Sequence, residues 1–156
     1  LYVALFAAAA IENVFPPAPS DVVVAFGSFI AARGPGSPLL TFLFVLAGNV
    51  SGAMLMYLLG RKYGAQRILS RFAGGTEGQA RLEQMFARWG TGALVVSRFL
   101  PGVRALVPPF AGALRLGAVR SMLAMGLASA VSYGAITYFA YTAGSNFEAL
   151  QARIAT

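Results

Sequence analysis

Two stretches of this chain contain no charged residue and are each long enough to cross a lipid bilayer as a helix. They cover residues 39–60 and 121–144. A spanning helix needs roughly 20 apolar residues, so we predict transmembrane helices over 39–60 and 119–145. Of all residues, 58% are hydrophobic and 11% are charged, whereas a soluble domain has about 25% charged residues. The expected fold class is therefore an all-α membrane protein.

Two further apolar segments are interrupted by prolines. The first, residues 1–34, contains Pro16-Pro17-Ala18-Pro19, and the second, residues 93–116, contains Pro101-Gly102 and Pro108-Pro109. Proline ends a helix because it lacks a donor and clashes with the preceding turn. In the first segment this leaves arms of roughly 21–23 Å, too short for a hydrocarbon core of roughly 30 Å. We predict a re-entrant helical hairpin for each segment, with a single kinked span as the alternative.

The stretch between the two halves, residues 61–92, is polar and holds six of the twelve basic residues. Apolar residues recur at helical spacing in two places, which predicts two amphipathic helices on a membrane surface. These residues are Ala65, Ile68, Leu69 and Phe72 in the first helix, and Leu82, Met85, Phe86 and Trp89 in the second. By the positive-inside rule, this stretch is expected to be cytoplasmic.

The order of these segments predicts a single membrane domain, residues 1–156, built from two repeats. Its parts are a first hairpin (1–34), a span (39–60), cytoplasmic helices (61–92), a second hairpin (93–116) and a second span (119–145). One span between two hairpins places the hairpins on opposite membrane faces. That is the inverted-repeat layout of many secondary transporters, whose site lies where the broken helices meet.

Four charged residues lie inside the two interrupted segments: Glu12 and Asp21 in the first, Arg98 and Arg104 in the second. A charge at the bilayer centre costs at least about 2.5–3.5 kcal/mol. Two acids and two arginines lower that cost by pairing, and guanidinium and carboxylate groups suit two-point contact. The sequence therefore predicts that the two segments meet at these four side chains.

The chemistry of the four residues leaves two readings open. In the first, Arg98 and Arg104 bind an anionic phosphate headgroup, and Glu12 and Asp21 serve proton coupling or gating. In the second, all four only form salt bridges that hold the repeats together. Supporting roles are expected for nearby polar and helix-breaking residues: Asn13, Ser20, Ser97, Pro17, Pro19, Pro101 and Gly102.

The residue types that are missing narrow the function further. The chain contains no His and no Cys, which removes the commonest metal ligands and general base. No nucleophile–base pair is visible, so we expect no enzyme activity, cofactor or metal site. The net charge of +7 fits basic loops near anionic lipid, and no nucleic-acid partner is expected. Self-association into a homo-oligomer stays open.

Three motifs resemble the DedA family of bacterial membrane proteins, also called the SNARE-associated or VTT family. They are ENVFPPAPSD, GNVSGAMLMYLLGRKYG and SRFLPGVRALVPPFAGALRL, and together they extend over most of the chain. The resemblance implies two re-entrant hairpins, functional acids at Glu12 and Asp21, and functional arginines at Arg98 and Arg104. It also implies an inner-membrane transporter or flippase for undecaprenyl phosphate or a related phospholipid, with protons as a coupling ion.

One alternative function and one departure from the family pattern remain. The alternative is a proton-coupled cation or drug antiporter for pH or envelope homeostasis, with Glu12 and Asp21 as the exchange site. Two arginines at the centre of a cation site argue against it. The departure is that family members commonly carry a further C-terminal hydrophobic helix, whereas this sequence stops at Thr156: either that helix is missing from this fragment or the protein differs from the family.

Overall fold

The computed structural model describes residues 1–14, 20–64, 67, 76–100 and 103–154, and the regular elements in these ranges are helices. The α-helices are α1 (Tyr2–Val14), α2 (Ser20–Ala32), α3 (Pro38–Tyr63), α4 (Thr76–Trp89), α5 (Ala93–Val96), α6 (Val107–Ala113) and α7 (Ala118–Ile154). Two short 3-10 turns, Gly90–Gly92 and Ser97–Phe99, flank α5. The predicted all-α class is confirmed for this part of the chain.

Helices α3 and α7 are the two elements long and apolar enough to cross a membrane. Their candidate spans are Pro38–Tyr63, with 26 residues, and Ala118–Phe147, with 30. Helix α3 begins where the Ser37 hydroxyl accepts the Leu40 N–H and Pro38 occupies the first turn, positions that suit both residues. Both helices extend beyond the predicted limits, because short polar turns continue each apolar run.

The first interrupted segment forms two helices, and its predicted break at residues 15–19, with Pro17 and Pro19, lies outside the described residues. The Ser37 N–H donates to the Tyr2 hydroxyl at 2.8 Å. The Tyr2 ring also stacks on Phe44, with centroids 5.6 Å apart. The start of α1 therefore lies beside the start of α3, which is also where the chain arrives from α2.

Glycines set the close approach of both interrupted segments to α3. A Cβ added at Gly48 or Gly52 would overlap the backbone of Phe6 or Ala10 in α1, so these two glycines let the helices approach closely. At the other end of α3, Gly60 contacts the Pro109 backbone of α6 in the same way. Gly126 of α7 makes no such approach, because a Cβ there would lie 3.7 Å from Val50, at ordinary separation.

The second interrupted segment is less regular than predicted. It consists of α5, the turn Ser97–Phe99, a turn over 103–106, and α6; Pro101 and Gly102 lie outside the described residues. The sequence predicts a second break at Pro108-Pro109, and this is wrong: both prolines lie in the first turn of α6 and are buried. The first helical turn tolerates proline, since its N–H groups have no intrahelical acceptor.

The described part of the polar stretch contains one amphipathic helix, α4. Leu82 is fully buried, and Met85 and Phe86 pack on the cluster around the second segment; the Phe86 and Phe110 rings lie 5.3 Å apart. The amphipathic helix predicted around Ala65 and Phe72 falls almost entirely outside the described residues. Its predicted first residues, 61–63, are the last turn of α3.

The two interrupted segments pack on the spans in a reciprocal pattern. Helix α1 packs on α3 and α2 packs on α7. In the second segment, α5 packs on α7 and α6 packs on α3. In each segment, the first arm therefore contacts the span that follows it in the sequence, and the second arm contacts the other span. The two segments consequently meet between α3 and α7.

Candidate functional site

Glu12 is a buried carboxylate near the end of α1, with only 2% of its surface exposed. Leu5, Ala9 and Asn13 are buried on the same helix, at the spacing that places residues on one helical face. This face points toward α3, because Gly48 and Gly52 let the two backbones touch. The alanine-rich sequence of α1 thus brings one charged group into the protein interior.

Arg104 pairs with both acids of the first segment. It lies in the turn before α6, where its Nη2 pairs with Glu12 Oε1 and its Nη1 donates to Asp21 Oδ2 at 2.6 Å. The side chain of Arg104 is 19% exposed and that of Asp21 is 43% exposed. The predicted meeting of acids and arginine is present here, with Glu12 on the inner side and Asp21 on the accessible side.

A chain of neutral hydrogen bonds continues inward from Glu12. The Tyr133 hydroxyl donates to Glu12 Oε2 at 2.6 Å and accepts from Asn49 Nδ2 at 3.3 Å. Asn49 Oδ1 accepts from the Ser129 hydroxyl at 2.9 Å. Tyr133, Asn49 and Ser129 are each at most 2% exposed. Helices α1, α3 and α7 are therefore joined through one buried polar network.

Asn13 and Ser97, two of the predicted supporting residues, border this network. Asn13 Nδ2 donates to the Asn49 carbonyl at 3.2 Å, and the Ser97 hydroxyl donates to the Leu94 carbonyl at 3.1 Å. Both residues line a small cavity beside Arg104, Asn49 and Ser129, with a volume of about 10 Å³. A polar cavity of this size holds about one water molecule.

Two predicted site residues are described only in their backbone. Arg98 lies in the turn Ser97–Phe99, and Ser20 begins α2, but their side chains are outside the described residues. The turn places Arg98 beside Ser97, which lines the cavity with Arg104. Where the Arg98 guanidinium points stays a prediction.

The sequence interpretation missed three residues of the network: Asn49, Ser129 and Tyr133. Each lies within a predicted span, and the absence of charge that predicts a span says nothing about its neutral polar residues. A signal was present, since an amide in an apolar helix must find partners for its donors and acceptors. Of the three residues, Asn49 is therefore the one that the sequence could have predicted to be part of a polar site.

An apolar groove lies between α3 and α7 beside the polar network. Its volume is about 550 Å³. Its walls are formed by residues of both spans, among them Val50, Met54, Met122, Gly126 and Ala130. Ala53 and Ser129, next to Met54 and Ala130 in sequence, line the small polar cavity instead. Each span therefore presents one side to the polar site and an adjacent side to the groove.

The donor set of the site is unlike that of a metal centre. Within the described ranges, no three acidic side chains come together in a group that could hold a metal ion. The two acids of the site are instead bridged by a guanidinium, which already supplies the positive charge. The arrangement suits exchange of an anion or a proton.

Comparison with known proteins finds one family and several relatives. The VTT domain family matches residues 17–142. An alkaline phosphatase-like protein of Lactococcus lactis is 30% identical over 68% of this chain and 53% of its own length. Undecaprenyl phosphate transporter A of Staphylococcus aureus is 26% identical over 76% of this chain and 62% of its own. Inner membrane protein YqjA of Escherichia coli is 31% identical over 72% and 53%.

The matches cover only part of the relatives' length. The chain spans about half the length of the curated relatives that it matches first. No solved structure matches the chain. The comparisons therefore concern sequence alone, and the geometry of the site comes from this structure.

Proposed function

Because this chain belongs to the VTT domain family, also called DedA, and is a bacterial inner-membrane protein, we propose that it transports an anionic lipid carrier. The substrate class is undecaprenyl phosphate or a related phospholipid, moved across the cytoplasmic membrane. One relative is named an undecaprenyl phosphate transporter. The observation that carries the proposal is the position of Arg104, shared between a buried and an accessible carboxylate.

Arg104 supplies the phosphate-binding group in this proposal. A guanidinium offers a planar fork of donors that matches phosphate in the same two-point geometry as carboxylate. Both donor edges of Arg104 now contact acids, so a headgroup binds by replacing one of them. Asp21 is the partner that leaves, because it is 43% exposed while Glu12 is 2% exposed. Arg98, one turn before the break, is proposed as the second phosphate ligand.

Glu12 and Asp21 couple this exchange to protons. Both oxygens of Glu12 face donors: Oε1 faces Arg104 and Oε2 faces the Tyr133 hydroxyl. A proton added to Oε1 would face the N–H of Arg104, which can only donate, so the guanidinium must move away. Protonation of Glu12 therefore weakens its hold on Arg104, and the freed guanidinium accepts a phosphate. Protonation of Asp21 has the same effect at the accessible edge.

The fold supports two re-entrant hairpins in an inverted repeat. The first segment starts and ends beside the start of α3, as the bond between Tyr2 and Ser37 indicates. Helices α1 and α2 have 13 residues each, about 20 Å, against a core of about 30 Å. The reciprocal packing of the two segments on α3 and α7 is what a two-fold relation between repeats would produce. We retain the five-part division of the single domain.

Two other functions fit the site less well. A cation antiporter with Glu12 and Asp21 as its exchange site would hold its cation where Arg104 already lies. A phosphatase, as one relative's name suggests, would need a nucleophile or a metal-bound water. The chain has no His or Cys, and the polar side chains around Arg104 are engaged in hydrogen bonds with one another. Transport of the intact lipid is the better account.

Transport in proteoliposomes tests the proposal. The purified protein is reconstituted with a labelled polyprenyl phosphate, and the label's movement between leaflets is followed with time. The parent protein should accelerate that movement, and Arg104→Ala should abolish the acceleration. Arg120→Ala is the matched control, because Arg120 is exposed in the first turn of α7. Equal rates for Arg104→Ala and the parent would contradict the proposal.

A further inference from the structure

The second oxygen of Glu12 has a partner outside the two interrupted segments. Glu12 Oε2 accepts from the hydroxyl of Tyr133 in α7, the span of the other repeat. Tyr133 is fully buried, within the apolar cluster formed with Leu5, Ala9, Val24 and Val45. A tyrosine hydroxyl carries one hydrogen, so its donation to Glu12 decides how every other bond around it is oriented.

Behind Tyr133, the Asn49 amide donates toward the carboxylate, and the Ser129 hydroxyl lies within donating distance of both Asn49 Oδ1 and the Met125 carbonyl. Asn49 Nδ2 can only donate, and it donates to the Tyr133 oxygen. The Asn49 carbonyl oxygen in turn accepts from Ser129. If Glu12 Oε2 carried a proton, the bond between Glu12 and Tyr133 would have to reverse, with the carboxyl group donating to the Tyr133 oxygen.

The charged and titratable groups around Glu12 can be assigned element by element within the described residues. Arg104 faces it from the turn before α6, and Asp21 of α2 reaches it only through Arg104. Tyr133 faces it from α7. Helix α3 contributes the neutral Asn49. Tyr133 is thus the residue of α7 that hydrogen-bonds to the Glu12 carboxylate.

We propose that Tyr133 is the positioning residue of this site. Its hydroxyl holds the Glu12 carboxylate toward Arg104, and Asn49 and Ser129 hold that hydroxyl in place. Proton uptake at Glu12 Oε2 reverses the direction of the first bond, so that α7 accepts from the carboxyl group of α1 where it previously donated to it. The role in transport rests on the proposed function, but the link between Tyr133 and Glu12 does not.

A double-mutant cycle tests that link without any substrate. The free energy of unfolding is measured in detergent micelles for the parent, Tyr133→Phe, Glu12→Gln and the double variant. The two changes should be non-additive by about tenfold in the unfolding equilibrium constant, because hydrogen bonds to a charged acceptor are stronger than neutral ones. Additive effects would overturn the proposal.

Tyr57 provides a matched control for the cycle. It is a second fully buried tyrosine, and its hydroxyl donates to the Leu116 backbone carbonyl instead of a carboxylate. Tyr57→Phe should therefore be additive with Glu12→Gln to within about twofold. Non-additivity of the same size in both cycles would mean that Glu12→Gln loosens the whole protein, and it would count against a specific link.

The pH profile of transport separates positioning from general stability. In Tyr133→Phe, the pH profile of transport should move away from that of the parent, since the carboxylate loses one of its two donors. The profile of Tyr57→Phe should coincide with that of the parent. A lower rate with an unmoved profile would show that Tyr133 only supports the fold. If the parent itself moves no lipid, the proposed function fails, and the double-mutant cycle still decides the link.

Discussion

Arg104 and Glu12 form an ion pair between two helical segments that are separated in the sequence by the whole of α3 and α4. Glu12 is 2% exposed, so its charge is offset within the protein. A buried pair is costly to break because one charge is then left without its partner. The same pair closes the meeting point of the two segments and forms the proposed exchange site.

The two acids are expected to differ in their contribution to stability. Glu12→Gln should lower the free energy of unfolding by about 3 kcal/mol, as expected for removing one partner of a buried pair. Asp21→Asn should lower it by about 1 kcal/mol or less, because its pair is partly exposed. Unfolding in detergent with increasing denaturant measures both values. Equal losses of stability in the two variants would contradict the assignment of Glu12 to the inner side of Arg104 and Asp21 to its accessible side.

The same two variants should both change transport. Each amide keeps the volume of the acid and removes its titratable charge. Transport should be lost or become independent of pH in Glu12→Gln and Asp21→Asn, because both acids are proposed to exchange protons. Lipid movement is measured in proteoliposomes over a range of pH. An unchanged pH dependence in both variants would assign the acids a structural role only.

The re-entrant topology predicts which turns face each side of the membrane. The chain has no cysteine, so single cysteines can be introduced at Gly34, Gln84 and Gly117. A Cβ at Gly34 meets no atom within 4 Å, and one at Gly117 meets its nearest at 3.9 Å. A membrane-impermeant thiol reagent should label Gly34→Cys from the periplasm and the other two from the cytoplasm. Periplasmic labelling of Gly117→Cys would mean that the second segment crosses the membrane completely.

Alanine substitutions should destabilise the protein at glycines where two helix backbones touch, and should have little effect at a glycine with ordinary spacing to its neighbour. Gly60→Ala and Gly112→Ala each place a Cβ against the backbone of the facing helix, where no flexible side chain can yield. The free energy of unfolding should fall by about 3 kcal/mol or more in each. Gly126→Ala is the control, since its Cβ would lie 3.7 Å from Val50, and its stability should stay within about 0.5 kcal/mol of the parent.

Hydrophobic runs and the positions of charged residues predict the two spans and the burial of Glu12. The spans were visible as uncharged runs, and the burial of Glu12 followed from its apolar surroundings. That acids of the first segment would pair with arginine of the second followed from the cost of isolated charge. The sequence predicts a break at Pro108-Pro109, but both prolines lie in the first turn of α6. Proline is compatible with the first turn of a helix and interrupts its interior, and the sequence alone did not show where α6 begins.

The neutral network could not be predicted in the same way. Asn49, Ser129 and Tyr133 are joined by bonds between residues that are distant in the sequence, and their alignment depends on how α1, α3 and α7 pack. The sequence shows that each buried polar side chain needs a hydrogen-bond partner, but it does not show which residue that partner is. The position of Arg104 between Glu12 and Asp21, instead of beside one of them, likewise required the structure.

Headgroup affinity decides whether Arg104 binds the phosphate of the substrate. Lysine keeps the charge but lacks the guanidinium fork. Affinity for a short-chain polyprenyl phosphate is measured for the parent, Arg104→Lys and Arg104→Ala, with Arg98→Lys as a companion. We predict that Arg104→Lys loses at least about tenfold in affinity, nearly as much as Arg104→Ala, while remaining folded. An affinity of Arg104→Lys close to that of the parent would contradict phosphate coordination and leave Arg104 as a salt bridge between the two segments.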